Sequence, residues 1–156
     1  MSRIIRKICL LLISATLSCS PLLRHENETK CILGNCVEGE GIQIYPDGAK
    51  YIGEFKDSKQ HGKGSYIWPN GDKYVGQWKH GKHEGEGIYT WSQGDEYSGQ
   101  WKNDKREGKG TYIWSNGDKY IGEFLNGKFH GEGTRYNHFG SVYEKGHWEN
   151  GKYMGH

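Results

Sequence analysis

The sequence predicts an all-β protein, an elongated single-layer array of consecutive antiparallel β-hairpins. Tyrosines recur at an interval of 23 residues, at Tyr51, Tyr74, Tyr97, Tyr120 and Tyr143. Between them, ring-bearing and small or polar residues alternate with the period of a strand and are broken by glycine-containing turn signals. Of 156 residues 25 are glycine and 33% hydrophobic, the latter rich in Tyr, Trp and Phe, so a deep aliphatic core is excluded. The 13% aromatic content argues equally against a disordered tail. Glycines that do not fall at every third residue exclude collagen.

The amino terminus reads as an export signal. Met1 to Lys7 is basic, and Ile8 to Leu17 is an apolar run too short to span a bilayer. Residues 1–18 are therefore assigned as a signal peptide. Ser18-Cys19 is similar to the end of a bacterial lipobox, with Thr16 where a leucine is usual. On that reading Cys19 is acylated, and the chain faces the periplasm or cell surface as a membrane-anchored lipoprotein. Ordinary cleavage nearby would leave a soluble secreted chain instead. Without the basic leader the formal charge of +2 falls close to neutrality, which removes the electrostatic case for nucleic acid.

Residues 19–35 follow as a flexible tether, polar at first and without periodicity. Cys31 and Cys36 are expected to form a disulfide at the start of the fold, because two nearby cysteines in an exported chain favour a bridge. Their spacing is not that of a redox Cys-x-x-Cys, and no second pair completes a zinc site.

The array then occupies residues 36–156. A half unit at 36–50 precedes full units at 51–73, 74–96, 97–119 and 120–142, and a partial unit at 143–156 closes it. Other columns share the interval: Gly53, Gly76, Gly99 and Gly122; Phe55, Trp78, Trp101 and Phe124; Tyr45, Trp68, Trp91 and Trp114. Units this short bury little alone and stack on neighbours, so the ends are atypical. The last unit has one extra residue between Tyr143 and Trp148 and is expected to fray or to form an imperfect cap.

Each unit reads as a hairpin. Tyr66 and Trp68 share a side of one strand, and Tyr74, Gly76 and Trp78 share a side of the next. Pro69-Asn70-Gly71-Asp72 between them carries the Asn-Gly of a tight hairpin. Gly76, lacking a Cβ, is expected to let a neighbouring ring lie flat. The opposite face, with Lys73, Gln77 and Lys79, is expected to be solvated apart from Val75. The second link, His80 to Gly87, turns the chain into the next hairpin.

The run from Tyr74 through Gly76, Trp78, Gly81 and Lys82 to Gly85 and Gly87 resembles the MORN (membrane occupation and recognition nexus) repeat. The likeness extends over about residues 36 to 156. Ser58 and Asp104 depart from it, standing where other units have a link glycine. The resemblance implies a shallow single-layer β-structure with roles in protein interaction, dimerisation or placement near membranes.

No nucleophile set, phosphate loop or dinucleotide fingerprint is present, so the chain reads as non-enzymatic with no cofactor. His61, His80, His83, His130, His138 and His147 are read as solvent-facing turn residues rather than metal ligands, and Glu84, Glu86 and Glu107 as charges that keep a thin sheet soluble. The candidate binding face is the ring set Trp68, Tyr74, Trp78, Trp91, Tyr97, Trp101, Trp114, Tyr120 and Phe124. Its expected partner is a protein, including a second copy of the chain. Glycan or cell-wall binding through the same rings is the alternative, and phospholipid association a further one. Burial of the rings within the free protein would count against sugar stacking.

Overall fold

The computed structural model describes residues 28–156; the signal segment, Cys19 and the first part of the tether lie outside the described residues. The described chain is one open sheet of twelve strands whose spatial order is the chain order. These are β1 (Lys30–Gly34), β2 (Gly39–Ile44), β3 (Lys50–Lys56), β4 (Lys59–Ile67), β5 (Lys73–Lys79), β6 (Lys82–Thr90), β7 (Glu96–Lys102), β8 (Lys105–Ile113), β9 (Lys119–Leu125), β10 (Lys128–Tyr136), β11 (Val142–Glu149) and β12 (Lys152–Gly155). Every strand pairs antiparallel with its sequence neighbour, so contacts are local and one repeat supplies two strands.

The sheet begins earlier than the sequence indicates. Lys30–Gly34, assigned to the tether, pairs with β2 as an edge strand. Cys31 and Cys36 are bonded and hold this strand to the array, with a Cα separation of 5.9 Å. Cys36 is buried against the second glycine of β2, where a Cβ on Gly41 would lie 3.0 Å from its sulfur.

Register places like residues in rows across the sheet. Successive cross-strand partners Gly41, Gly53, Gly64, Gly76, Gly87, Gly99, Gly110, Gly122, Gly133 and Gly146 form an unbroken glycine row. Beside it runs a tyrosine row, Tyr51, Tyr66, Tyr74, Tyr89, Tyr97, Tyr112 and Tyr120, ending at Arg135. Past the glycine row the register of β5 and β6 shifts, so that Gln77 meets Glu84 and Gly85-Glu86 bulges. Such a bulge needs a left-handed residue, and Gly85 has φ 64°.

The two links exchange the roles the sequence suggests. Asn-Gly at 70–71 does not form the tight hairpin. It lies in a five-residue connection in which Gly71 N–H donates to the Trp68 carbonyl and only Gly71 is left-handed. The tight two-residue turns are at the other link, where Asp57-Ser58, His80-Gly81, Asn103-Asp104 and Asn126-Gly127 have positive φ at both positions. That pair of left-handed residues matches the twist of the flanking strands. The physical reason for the exchange is connection length: five residues leave room for a turn with one left-handed glycine.

The carboxyl-terminal unit is formed as strands β11 and β12, but its extra residue moves Tyr143 out of the tyrosine row. Glu144 takes the place opposite Arg135, while Tyr143 is 69% exposed.

Candidate binding face

The rings divide into two layers on one face of the sheet. Tyr51, Tyr74, Tyr97 and Tyr120 have no exposure, and Phe55, Trp78, Trp101, Phe124 and Trp148 are buried beside them. Tyr74 lies across Gly76 and Gly87, and its hydroxyl donates to the Gln77 carbonyl at 3.0 Å. Its ring meets Trp78 and Trp101 edge to face, at 5.1 and 5.4 Å between centroids. The same contact repeats through Tyr51, Tyr97 and Tyr120, so one edge-to-face ladder runs from Phe55 to Trp148. Such pairs add about 0.5–1.5 kcal/mol each beyond the area they bury. Trp78, Trp101 and Trp148 also donate their indole N–H to Gly64, Gly87 and Gly133 carbonyls of the preceding unit.

Six of the nine candidate face residues, Tyr74, Trp78, Tyr97, Trp101, Tyr120 and Phe124, are therefore core rather than contact surface. A glycine row one residue wide gives each tyrosine a slot, and the neighbouring unit closes over it. Trp68, Trp91 and Trp114 are different. They are half-buried, and with Tyr45, Tyr66, Tyr89 and Tyr112 they form a second ladder of tilted and edge-on rings that is partly exposed.

Between the ladders lies a position of changing chemistry, nine residues after each core tyrosine: Gln60, His83, Arg106 and Phe129. His83 stacks on Tyr74 at 3.8 Å, and Phe129 on Tyr120 at 4.1 Å. The Arg106 guanidinium sits over Tyr112 at 5.2 Å and Phe124 at 5.6 Å, and donates to the Gly127 carbonyl. Burial lowers the Arg106 pKa and depresses that of His83 to about 4, the Asp104 carboxylate opposing the latter. Thus His83 is a buried, neutral core residue, not the solvent-facing turn histidine the sequence suggests. No sequence column marks this position, because no residue type repeats there; its fixed offset from the tyrosines is the signal that finds it.

Links are stitched from unit to unit along both long edges. Asp72 accepts from Ser92 N–H at 2.8 Å and from the Tyr89 hydroxyl at 2.9 Å, and Asp95 accepts likewise from Ser115 N–H and Tyr112. These hydrogen bonds hold both carboxyls below their ordinary range, with the Ser92 N–H foremost at Asp72 and the Tyr112 hydroxyl at Asp95. Asp95 and desolvation act together on Tyr112, which is pushed up to about 12, burial being the larger cause. On the other edge Glu84 and Glu107 accept from Asn103 and Asn126 N–H, so these carboxylates are structural as well as solubilising.

The opposite face is less polar than expected. Ile52, Ser65, Val75, Ile88, Ser98, Thr111 and Ile121 are cross-strand partners in a row, and the four aliphatic ones are about 40% exposed. Single-layer architecture leaves them without a covering element. At the tight-turn edge of the same face Lys56 pairs with Lys59, Lys79 with Lys82 and Lys102 with Lys105.

Among the described residues there is no group of three or more His, Cys, Asp or Glu placed to hold a metal ion. A cleft of about 660 Å³ lies on the ring face, with Trp68 and Trp91 among its lining residues. It is lined by rings of the half-buried ladder and edges of Trp78 and Trp101, together with Gln60, His83, Asp104 and Arg106.

A twelve-strand meander with a 23-residue unit, glycine row and tyrosine slots is a stack of equivalent β-hairpin repeats. The MORN repeat profile matches residues 51–73, 74–96, 97–119, 120–137 and 145–156, and the chain belongs to the MORN repeat family. The profile omits 138–144, where the added residue expels Tyr143. No curated protein matches the chain.

Proposed function

We propose that this chain is a non-catalytic interaction and scaffolding module of the bacterial cell envelope. The observation that carries the reading is the half-buried ladder Tyr66, Trp68, Tyr89, Trp91, Tyr112 and Trp114, which is continuous across the repeats and partly exposed. Rigid half-exposed Tyr and Trp side chains are the residue types that anchor interfaces. The buried ladder beneath fixes them in place, so recognition surface and core are separate layers. Export and anchoring rest on the amino-terminal sequence: a basic start, an apolar run and Cys19 as the acylated residue.

Photo-crosslinking in the native host tests this. A crosslinker replacing Trp68 should trap an envelope component, and one replacing Val75 on the other face should not. Equal trapping from both positions would remove the ring face as the site. Intact mass of the same preparation should correspond to Cys19–His156 carrying acyl groups, and an unacylated chain would remove the anchor.

Phospholipid association is a second reading, favoured by the three lysine pairs on the opposite face. Like charges directly across a strand pair repel, and an anionic headgroup between them would relieve this. Flotation with anionic vesicles, lost in a Lys79→Ala and Lys82→Ala double variant, distinguishes it.

A further inference from the structure

The ring-face cleft also carries information about ligand chemistry, resting on the reading that the half-buried ladder is the contact surface. We infer that it binds a linear β-1,4-linked glycan chain, stacked on Trp68, Trp91 and Trp114 and running across the strands.

The first observation is spacing. The three tryptophans occupy one column, one repeat apart, and each repeat is two strands wide. Two strand spacings are about 9.5 Å. The rise per sugar of an extended β-1,4-linked pyranose chain is close to a single strand spacing, so every second sugar returns to a tryptophan. A folded protein epitope has no reason to match that period. A polymer of identical units does.

The second observation is the lining. Trp68 and Trp91 flank a cleft of about 660 Å³ whose other walls carry Gln60, His83, Asp104 and Arg106. This volume falls within the range of small-ligand sites. Flat rings with a few polar groups suit a pyranose, which has apolar C–H faces and a rim of hydroxyls. The polar groups are incompletely used by the protein. No described carboxylate forms an ion pair with Arg106, whereas His83 Nδ1 is enclosed and faces the Asp104 carboxylate at 3.7 Å. The Gly127 carbonyl and the Tyr112 hydroxyl engage only part of the guanidinium's five donors. Arg106 donates to hydroxyl or N-acetyl oxygens, while the enclosed His83 shapes the wall of the cleft.

Burial of the deeper ladder is compatible with this assignment. Sugar stacking requires exposed ring surface at each contact; Trp68, Trp91 and Trp114 are partly exposed, and the Arg135 guanidinium over the Trp114 ring at 4.9 Å adds a donor beside that surface. The core rings contribute rigidity only.

Chito-oligosaccharides and isolated peptidoglycan sacculi test the inference with the full chain. Quenching of tryptophan fluorescence should show the hexasaccharide bound at least about tenfold more tightly than the disaccharide, because only the longer chain reaches more than one tryptophan. A Trp91→Ala and Trp114→Ala double variant, which leaves one tryptophan of the column, should abolish that length dependence, and Val75→Ser on the opposite face should leave it intact. The wild-type length dependence needs no variant, so a folding defect in the double variant cannot obscure the result. Equal affinity for both oligosaccharides, or no binding to either probe, would overturn the inference. If ring-face crosslinks to an envelope protein then persisted, the interaction surface would stand and its glycan ligand would fall; if they too were absent, both would fall.

Discussion

The hydroxyl of Tyr74 reaches over two glycines to the carbonyl of Gln77, closing a ring-sized slot at 3.0 Å. A Cβ on Gly87 would lie 2.3 Å from that hydroxyl oxygen, and one on Gly76 would lie 2.6 Å from it. Gly87→Ala must therefore displace a ring held by tryptophans on either side. Overpacking of this kind costs about 1–3 kcal/mol, and the lost hydroxyl bond about 1 more. Tyr74→Phe should lose the hydrogen bond alone, about 1 kcal/mol. Urea unfolding of the two variants should show Gly87→Ala as the more damaging.

Ser58 and Asp104 hold left-handed conformations, with φ of 60° and 66°, at positions where other units have glycine. Asp104 has a compensating role, since its carboxylate accepts from His83 N–H at 2.8 Å. No side-chain hydrogen bond of Ser58 offsets its conformation, while its backbone N–H to the Val37 carbonyl survives substitution. Ser58→Gly should stabilise the array by about 1 kcal/mol. A higher urea midpoint with unchanged slope checks this.

Acid should weaken the array through His83. Its folded pKa, lowered by burial to about 4, lies below the unfolded value of 6.5, so the unfolded chain binds the proton first. Stability contributed by the neutral imidazole is complete above pH 6.5 and declines as pH falls toward 4. Full development of the shift corresponds to about 3 kcal/mol. His83→Phe, isosteric with the stacked Phe129 arrangement, should flatten the pH dependence of unfolding in that window. An unchanged slope would show that His83 does not control it.

The edge stitches predict coupling between units. Asp72→Ala removes the acceptor for both Ser92 N–H and the Tyr89 hydroxyl, two bonds across one junction between units. The expected loss is about 1–3 kcal/mol. Hydrogen exchange should quicken at Ser92 before the core amides of β5 are affected.

The fold was legible because one interval governs both turn chemistry and alternation. A 23-residue column of tyrosines with glycine two residues on can be satisfied only by stacking equivalent hairpins. The division of rings into core and surface was not legible, because Trp68 and Trp78 share the same strand parity. What separates them is cross-strand register: Trp78 closes the slots of Tyr51 and Tyr74, whereas Trp68 lies beside them over the half-buried ladder. Likewise Ile52, Val75, Ile88 and Ile121 sit at ordinary outward positions in sequence, and only register aligns them into one row. Tyr143 kept the interval yet left the row, since one inserted residue reverses which face a strand residue occupies.

The separation of core rings from contact rings is tested most directly by comparing Trp101→Ala with Trp91→Ala in equilibrium unfolding. Trp101 is 7% exposed, bridges Tyr74 and Tyr97, and donates to the Gly87 carbonyl. Its removal should cost about 3–5 kcal/mol, the range for a large buried ring. Trp91→Ala should cost at most about 2 kcal/mol and retain the sheet's far-UV spectrum. Equal losses, or a larger loss at Trp91, would contradict the assignment of one ladder to the core and the other to recognition.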